Sequence, residues 1–131
     1  MILESAALRA SQRMVWEPTL NGLKFDLRPL FAKLVRLVTK ETTENLAYAV
    51  HLTLVKGFKE LVSAAAQKYR LTKVVLGGGC FQNLILTTAL KRELEEAGLE
   101  VYLPRNLPPN DGGLSYGQAL WAAWQAEDGR A

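Results

Sequence analysis

Apolar residues in the first half of the chain recur every three to four positions, which is the spacing of an amphipathic helix. This spacing predicts one helix from Met1 to about Met14, a second from about Leu27 to Val38, and a long third helix from Thr42–Thr43 to about Tyr69. The third segment has two apolar stripes, a pattern typical of a buried helix. Gly57 lies inside it, although glycine costs about 1 kcal/mol relative to alanine in a helix. Close packing against another helix is the simplest reason for that glycine.

Turn-forming residues separate the first two predicted helices. Pro18 and Asn21-Gly22 predict an irregular connector. Trp16 precedes it and either anchors the connector by packing, the commoner role, or contacts a partner. Asp26 is a candidate N-cap of the second helix, with Pro29 in its first turn.

The second half of the chain alternates short apolar strands with helices. Strands are predicted at Lys73–Leu76 and Leu99–Leu103, and helices at Phe81–Ala97 and from Leu114 to about Gln125. Gly98 follows a predicted helix end, where a left-handed backbone is favoured. Because a helix joins the two strands, we expect them to pair in parallel with a right-handed connection.

These elements predict an α/β fold with a layer of helices and an incomplete sheet. The length favours a single domain over residues 1–131. Two strands make a thin parallel sheet, since such sheets normally have several strands and cover on both faces. We therefore expect a subdomain of a larger protein or one half of an oligomer, with surface that favours self-association, for example as a homodimer.

Composition narrows the range of partners and compartments. The chain is 49% hydrophobic, which supports a folded core, and its net charge of +3 is spread along the sequence, which gives nucleic-acid binding little support. No apolar stretch approaches the ~18 residues that span a bilayer, and Glu4 and Arg9 interrupt the apolar residues that a signal peptide would need. The single cysteine, Cys80, suits a reducing compartment. A cytoplasmic protein without nucleic-acid or membrane partners is expected.

Polar and glycine-rich turns follow both predicted strands. Gly77–Gly79 come between a strand and a helix, where the backbone could approach a phosphate oxygen, or where a tight turn could need positive φ. Their pattern is neither the Rossmann fingerprint nor a P-loop. Asn83 could contact a ribose or base, or make a helix-end hydrogen bond. Because ligands gather at the carboxyl ends of strands in α/β sheets, we expect this turn to lie beside the second turn, Pro108–Gly113.

Three further residues have side chains that could bind a metal ion or take part in a reaction. Asp111, in the second turn, could bind a cation or hold a water, and a helix cap or Asx turn is the commoner role. His51, the only histidine, is expected to be a satisfied core residue, and Cys80 a small buried filler rather than an activated thiol. Too few candidates are present for a self-contained zinc site or a nucleophile–histidine pair.

Two motifs together carry a family resemblance. They are Leu76–Asn83, with the sequence LGGGCFQN, and Pro108–Ala119, with the sequence PPNDGGLSYGQA. In this order and spacing they closely resemble the C-terminal end of the HypF family of hydrogenase maturation carbamoyltransferases. The similarity covers about Asn45 to Trp124 well and the first 40 residues weakly. It implies the helix-rich half of an actin-like (ASKHA) nucleotide-binding fold with a small, mostly parallel sheet, related to the TsaD family.

The resemblance also implies an activity. In this family a carbamoyl-adenylate is made from carbamoyl phosphate and ATP in a YrdC-like domain. The actin-like module passes the carbamoyl group to the C-terminal cysteine of the partner HypE, and the group becomes the cyanide ligand of [NiFe]-hydrogenase. By motif, Gly78, Gly79 and Asn83 are implied to contact the nucleotide, and Asp111 a divalent metal ion. No catalytic residue is assigned.

Departures from the family pattern limit that expectation. Gly77 stands where the family often has serine, Leu84 stands where arginine is common, and no upstream pair of metal-binding histidines is present. The first actin-like lobe and the other HypF domains have no counterpart in this sequence. We therefore expect half a cleft, inactive by itself and weak in nucleotide binding, with the remaining HypF domains and a HypE-like acceptor as partners. The alternative is a non-catalytic interaction or nucleotide-binding module derived from this fold.

Overall fold

The computed structural model describes residues 2–127, and helices dominate this part of the chain. The helices are α1 (Ile2–Ala7), α2 (Arg28–Leu37), α3 (Thr43–Tyr69), α4 (Leu84–Glu96) and α5 (Leu114–Glu127). The strands are β1 (Thr19–Asn21), β2 (Lys24–Asp26), β3 (Lys73–Val75) and β4 (Glu100–Tyr102). Short 3-10 helices lie at Gly79–Gln82 and Asp111–Gly113. No helix within residues 2–127 is long and apolar enough to cross a membrane.

The long helix α3 is the centre of the fold, as its two apolar stripes predicted. Thr42 begins it, because the Thr42 side chain accepts a hydrogen bond from the amide of Asn45. One side of α3 packs against α4 in a core that includes Val55, Leu90 and Leu94. Another side packs against α2 and the buried ring of Trp16. The packing role considered for Trp16 is therefore confirmed.

The first helix is shorter than predicted. Of the predicted range, Met1 lies outside the described residues, and α1 ends at Ala7 rather than near Met14. Beyond it, the amides of Ser11 and Gln12 each donate to Oδ1 of the buried Asn45 at 3.1 Å. This side chain of α3 satisfies amides that a longer helix would have bonded internally, so the chain turns away there.

The connector between α1 and α2 contains a β-hairpin that the turn residues alone did not predict. Strands β1 and β2 pair antiparallel, and Gly22 at the turn has φ +59°. The ring of Phe25 from this hairpin lies so close to Gly57 that a Cβ there would be 2.3 Å from Phe25 Cε1 and Cζ. Close packing does explain Gly57, but the expected partner helix was wrong, because the neighbour is the ring of a strand residue.

The start of α2 shows how Asp26 acts. Leu27 is the N-cap residue and makes no side-chain hydrogen bond. Asp26 Oδ1 accepts from the amide of Arg28 at 3.0 Å, so the carboxylate satisfies an amide in the first turn of α2. Asp26 was expected to be the N-cap residue but lies one residue before it. Pro29 lies in the first turn, as predicted.

The second half of the chain has the predicted βαβ order. Strands β3 and β4 pair in parallel, with Val74 opposite Val101. Gly98 has φ +84° and follows the end of α4, and the amides of Gly98 and Leu99 donate to the carbonyls of Glu95 and Leu94. These two hydrogen bonds form a Schellman motif, which confirms the predicted helix stop. The predicted helix start at Phe81 was wrong, because a 3-10 turn comes first and α4 begins at Leu84.

Candidate functional site

The two polar turns lie side by side at the carboxyl ends of β3 and β4. The amide of Gly78 donates a hydrogen bond to the carbonyl oxygen of Pro109 at 2.5 Å. A Cβ on Gly79 would lie 3.9 Å from Cβ of Asn110, which is ordinary van der Waals contact. The expected meeting of the two motifs at one edge of the sheet is confirmed.

The glycine turn uses a backbone conformation that only glycine adopts readily. Gly78 has φ +105° and ψ 162°, and a Cβ on Gly77 or Gly78 would meet open space. Conformation rather than crowding therefore requires glycine at position 78. The Gly78 amide already donates to Pro109, whereas the amides of Gly79 and Cys80 donate to no other described residue. Those two amides are the donors left for an anion.

Asn83 is the N-cap of α4 rather than a residue of its first turn. Its Oδ1 accepts from the amide of Leu86 at 2.9 Å, which confirms the helix-end hydrogen bond considered from the sequence. Its Nδ2 lies 2.7 Å from Nε2 of His51. One N–H of the Asn83 amide and one lone pair of Oδ1 remain for another partner. A role in nucleotide contact stays a prediction.

His51 and Cys80 differ in burial. His51 is only 5% exposed, and its Nδ1 lies 2.7 Å from the carbonyl oxygen of Ala47, so the expected satisfied core histidine is confirmed. Cys80 is exposed and free, so the expected buried filler was wrong. Cys80 is the second residue of the short 3-10 helix, and none of the residues in that helix is buried.

Asp111 presents an exposed carboxylate beside the glycine turn. It is the first residue of the second 3-10 helix, and the cap of that turn is Asn110, whose Oδ1 accepts from the amide of Gly112 at 3.0 Å. The cap role considered for Asp111 therefore belongs to its neighbour. No hydrogen bond or ion pair within residues 2–127 involves the Asp111 carboxylate.

The residues of this chain fit a metal ion only in part. A carboxylate oxygen such as that of Asp111 suits a hard divalent cation. Within the described part of the chain, no three His, Cys, Asp or Glu side chains come together in a group that could hold a metal. A complete coordination sphere would therefore need ligands from outside residues 2–127.

Glu4 is a site-supporting residue that the sequence did not indicate. Its Oε1 accepts from the amide of Leu84 at 2.5 Å, so a carboxylate of α1 binds the first amide of α4. The charge complements the partial positive charge of that helix end. The two residues are 80 positions apart, so no local spacing could reveal the contact.

Comparisons with known proteins agree with this architecture. Residues 1–118 match the family described as carbamoyltransferase, Kae1-like domain, second subdomain. The carbamoyltransferase HypF of Synechocystis sp. is 40% identical over 106 residues, which covers 78% of this chain and 13% of the relative. HypF of Rhizobium leguminosarum bv. viciae is 34% identical over 117 residues, covering 89% of this chain and 15% of the relative.

Solved structures give the same relationship. The crystal structure of HypF from T. kodakarensis matches 96% of this chain and 16% of its own with a TM-score of 0.82 at 24% identity, which supports the fold. A full-length HypF in its phosphate- and nucleotide-bound form matches 92% of this chain and 16% of its own, with a TM-score of 0.81 at 30% identity. The chain thus spans about one sixth of these proteins. It belongs to the HypF carbamoyltransferase family, in which it corresponds to the second, actin-like subdomain of the Kae1-like domain.

Proposed function

We propose that this chain forms one wall of the cleft in which a HypF-type carbamoyltransferase holds a carbamoyl-adenylate. Its role is to bind the nucleotide while the carbamoyl group passes to the C-terminal cysteine of a HypE-like acceptor, in the maturation of [NiFe]-hydrogenase. The hydrogen bond from the Gly78 amide to the Pro109 carbonyl carries this proposal, because it joins the two family motifs at one edge of the sheet. A ligand at that edge would contact both turns.

The nucleotide-binding part of the proposal assigns roles to the glycine turn. The open backbone at Gly77 and Gly78 leaves room for a phosphate group to approach. The amides of Gly79 and Cys80 are available to donate to its oxygens. Asn83 has one amide N–H left for a ribose or base. The nucleotide-bound state of a related HypF supports this assignment.

The metal-binding part of the proposal assigns one ligand to this chain. Asp111 is exposed, beside the glycine turn, and without a hydrogen bond or ion pair inside residues 2–127. We assign the other ligands to the rest of the HypF polypeptide, since this part of the chain has no group of three candidate ligands. A divalent ion, when bound there, would neutralise phosphate charge.

The same shortage of ligands favours a second candidate function. In it, the chain is a non-catalytic module that keeps the fold and binds a nucleotide or a protein partner without transferring a group. The carboxylate of Asp111 would then have no metal to hold, and its substitution would leave the module's binding unchanged. We place either protein in the cytoplasm, where the free and exposed Cys80 would stay reduced.

A chimeric enzyme separates the two candidates. The matching segment of Synechocystis HypF, 40% identical over 106 residues, is replaced by this chain. Carbamoyl transfer from carbamoyl phosphate and ATP to the acceptor's C-terminal cysteine is followed by mass spectrometry. Transfer by the chimera, lost on Asp111→Asn, supports the carbamoyltransferase role. A folded chimera in which an azido-ATP crosslinks to this segment without transfer, whatever residue occupies position 111, supports the non-catalytic module.

A further inference from the structure

The buried imidazole of His51 has a defined proton position. A carbonyl oxygen can only accept, so Nδ1, at 2.7 Å from the Ala47 oxygen, carries the proton. In the neutral ring, Nε2 is then an acceptor, and it receives the hydrogen bond that Asn83 Nδ2 donates at 2.7 Å. Both ring nitrogens are thus satisfied in a residue that is 5% exposed.

This tautomer and the backbone amide of Leu86 together require one orientation of the Asn83 amide. With Nδ2 on His51, Oδ1 faces the amide of Leu86 and caps α4 at 2.9 Å. The opposite orientation would place Oδ1 against the Nε2 lone pair and Nδ2 against the Leu86 N–H. The first contact would then pair two acceptors and the second two donors, so the half-buried Asn83 amide would lose both hydrogen bonds. The Leu86 amide and the His51 ring therefore together hold Asn83 in one orientation at the start of α4.

The fixed asparagine is connected to the glycine turn. The amide of Asn83 donates to the Cys80 carbonyl at 3.1 Å, and the amide of Phe81 donates to the Gly78 carbonyl at 3.1 Å. The hydroxyl of Thr87, one turn into α4, donates to the Phe81 carbonyl at 2.9 Å. These hydrogen bonds and the short backbone segment between Gly78 and Asn83 therefore connect the interior of α3 to the turn that meets Pro109.

We propose that His51 is a positioning residue for nucleotide binding: its neutral Nδ1–H imidazole orients Asn83 and so holds the glycine turn in its binding geometry. The inference rests on the proposed function, since it concerns the same cleft. It assigns to the only histidine of the chain a role beyond filling the core. His51 itself touches no ligand and acts through Asn83.

The first test is spectroscopic and needs only the full 131-residue chain. Because His51 is the only histidine, its ring nitrogens give an unambiguous pair of nitrogen NMR signals. We expect the neutral ring with Nδ1 protonated, and an Nε2 signal that moves in Asn83→Ala because its donor is gone. A ring protonated at Nε2 overturns the proposed orientation of Asn83.

The second test measures ATP binding to this chain's segment of the chimeric HypF described above, as the half-saturating concentration for photocrosslinking of an azido-ATP to peptides of that segment, because the YrdC-like domain of the chimera also uses ATP. His51→Leu removes the acceptor for Asn83 and should weaken binding about fivefold to tenfold, the usual effect of one lost hydrogen bond. His51→Gln supplies a side-chain oxygen that can accept from Asn83, and its affinity should lie closer to that of the unsubstituted chimera. The matched control is Thr53→Val, because Thr53 is equally buried on α3 but bonds the amide of Trp16, away from the turn.

The possible results distinguish a failure of the positioning role of His51 from a failure of the proposed function. Thr53→Val should lower stability as His51→Leu does while changing ATP affinity less than about twofold. If the azido-ATP labels this segment of the unsubstituted chimera and labels the His51→Leu segment equally well, or if Thr53→Val weakens labelling as much, the positioning role is wrong and the proposed function stands. If the unsubstituted chimera folds but the azido-ATP does not label this segment, the proposed nucleotide site and the positioning role fail together.

Discussion

The backbone amide of Gly78 donates to the carbonyl oxygen of Pro109, and this single contact joins the turn after β3 to the turn after β4. Because its amide is used in this bond, Gly78 contributes the backbone conformation of the turn and not a free hydrogen-bond donor for a ligand. The neighbouring amides of Gly79 and Cys80 are the ones left for a ligand. The first prediction follows from that division of roles.

Gly78→Ala should destabilise the chain by roughly 1–3 kcal/mol, because φ +105° is strained for any residue with a Cβ. Gly77→Ala is the matched control, since a Cβ there also meets open space but needs no left-handed backbone. It should be neutral or slightly stabilising. Urea denaturation of both variants measures the difference. Equal stabilities would show that the backbone conformation at position 78 is not what requires glycine.

Gly57→Ala should destabilise the fold although alanine is the better helix former. The new methyl would overlap the ring of Phe25, which makes a T-shaped contact with the ring of Phe58 at a centroid distance of 5.7 Å. Overpacking of this kind costs about 1–3 kcal/mol, against about 1 kcal/mol of helix propensity gained.

The double variant tests the cause. In a Phe25→Ala background the overlap is gone, so Gly57→Ala should there stabilise by about 1 kcal/mol. Chemical denaturation of the four proteins in this cycle gives the coupling. A substitution at Gly57 that costs the same in both backgrounds would rule out Phe25 as the reason for the glycine.

Asp26 predicts a pH dependence at the start of α2. The hydrogen bond from the Arg28 guanidinium, followed by the bond from the Arg28 amide, lowers the pKa of Asp26 from 3.8 to about 2. The folded state therefore holds the carboxylate ionised more strongly than the unfolded state does. The resulting stabilisation is complete above the unfolded value and is lost as pH falls from about 3.8 through about 2.

The matched comparison is between the natural chain and Asp26→Asn, unfolded by denaturant at a series of pH values. The natural chain should be the more stable above about pH 4, and the difference should shrink between pH 4 and pH 2. Because the pair is exposed, the effect should be small and should weaken with added salt. A difference that stays constant across this range would exclude the ion pair as its source.

Asp111→Asn should abolish carbamoyl transfer by the chimeric HypF while leaving the stability of the chain nearly unchanged. The carboxylate is exposed and makes no hydrogen bond or ion pair inside residues 2–127, so we expect folding not to depend on its charge. Asn110→Ala is the control, because it removes the bond to the Gly112 amide and should lower stability by about 1 kcal/mol. Thermal unfolding beside the transfer assay measures both. Unfolding caused by Asp111→Asn would make the residue structural.

The isolated chain should self-associate through α5. This helix has no buried residue, and Trp121 and Trp124 are 61% and 56% exposed on one face. In a longer HypF polypeptide we expect other parts of the same protein to cover that face. Replacing both tryptophans with glutamine should raise the monomer fraction in sedimentation experiments. Phe31→Gln, at a 58% exposed aromatic on α2, is the control and should not do so.

Local sequence determined the parts of this protein whose cause is local. Thr42 begins α3 because its side chain caps a nearby amide, and Gly98 ends α4 because glycine adopts the left-handed backbone that a Schellman motif needs. The parallel pairing of β3 with β4 followed from the helix that connects them. The position of both turns after strands of one predicted sheet likewise indicated that Gly78 and Asp111 would lie at one edge.

Tertiary structure decided what depends on residues far apart in the chain. The end of α1 is set by Asn45, the need for Gly57 by Phe25, and the acceptor for the Asn83 side-chain N–H is supplied by His51. In each case the two residues are about 30 positions or more apart in the sequence, so the period of a helix or a strand does not relate them. The sequence shows which groups need a hydrogen-bond partner or free space. Which residue supplies that partner or space depends on the tertiary packing, because only the folded chain brings distant side chains into contact.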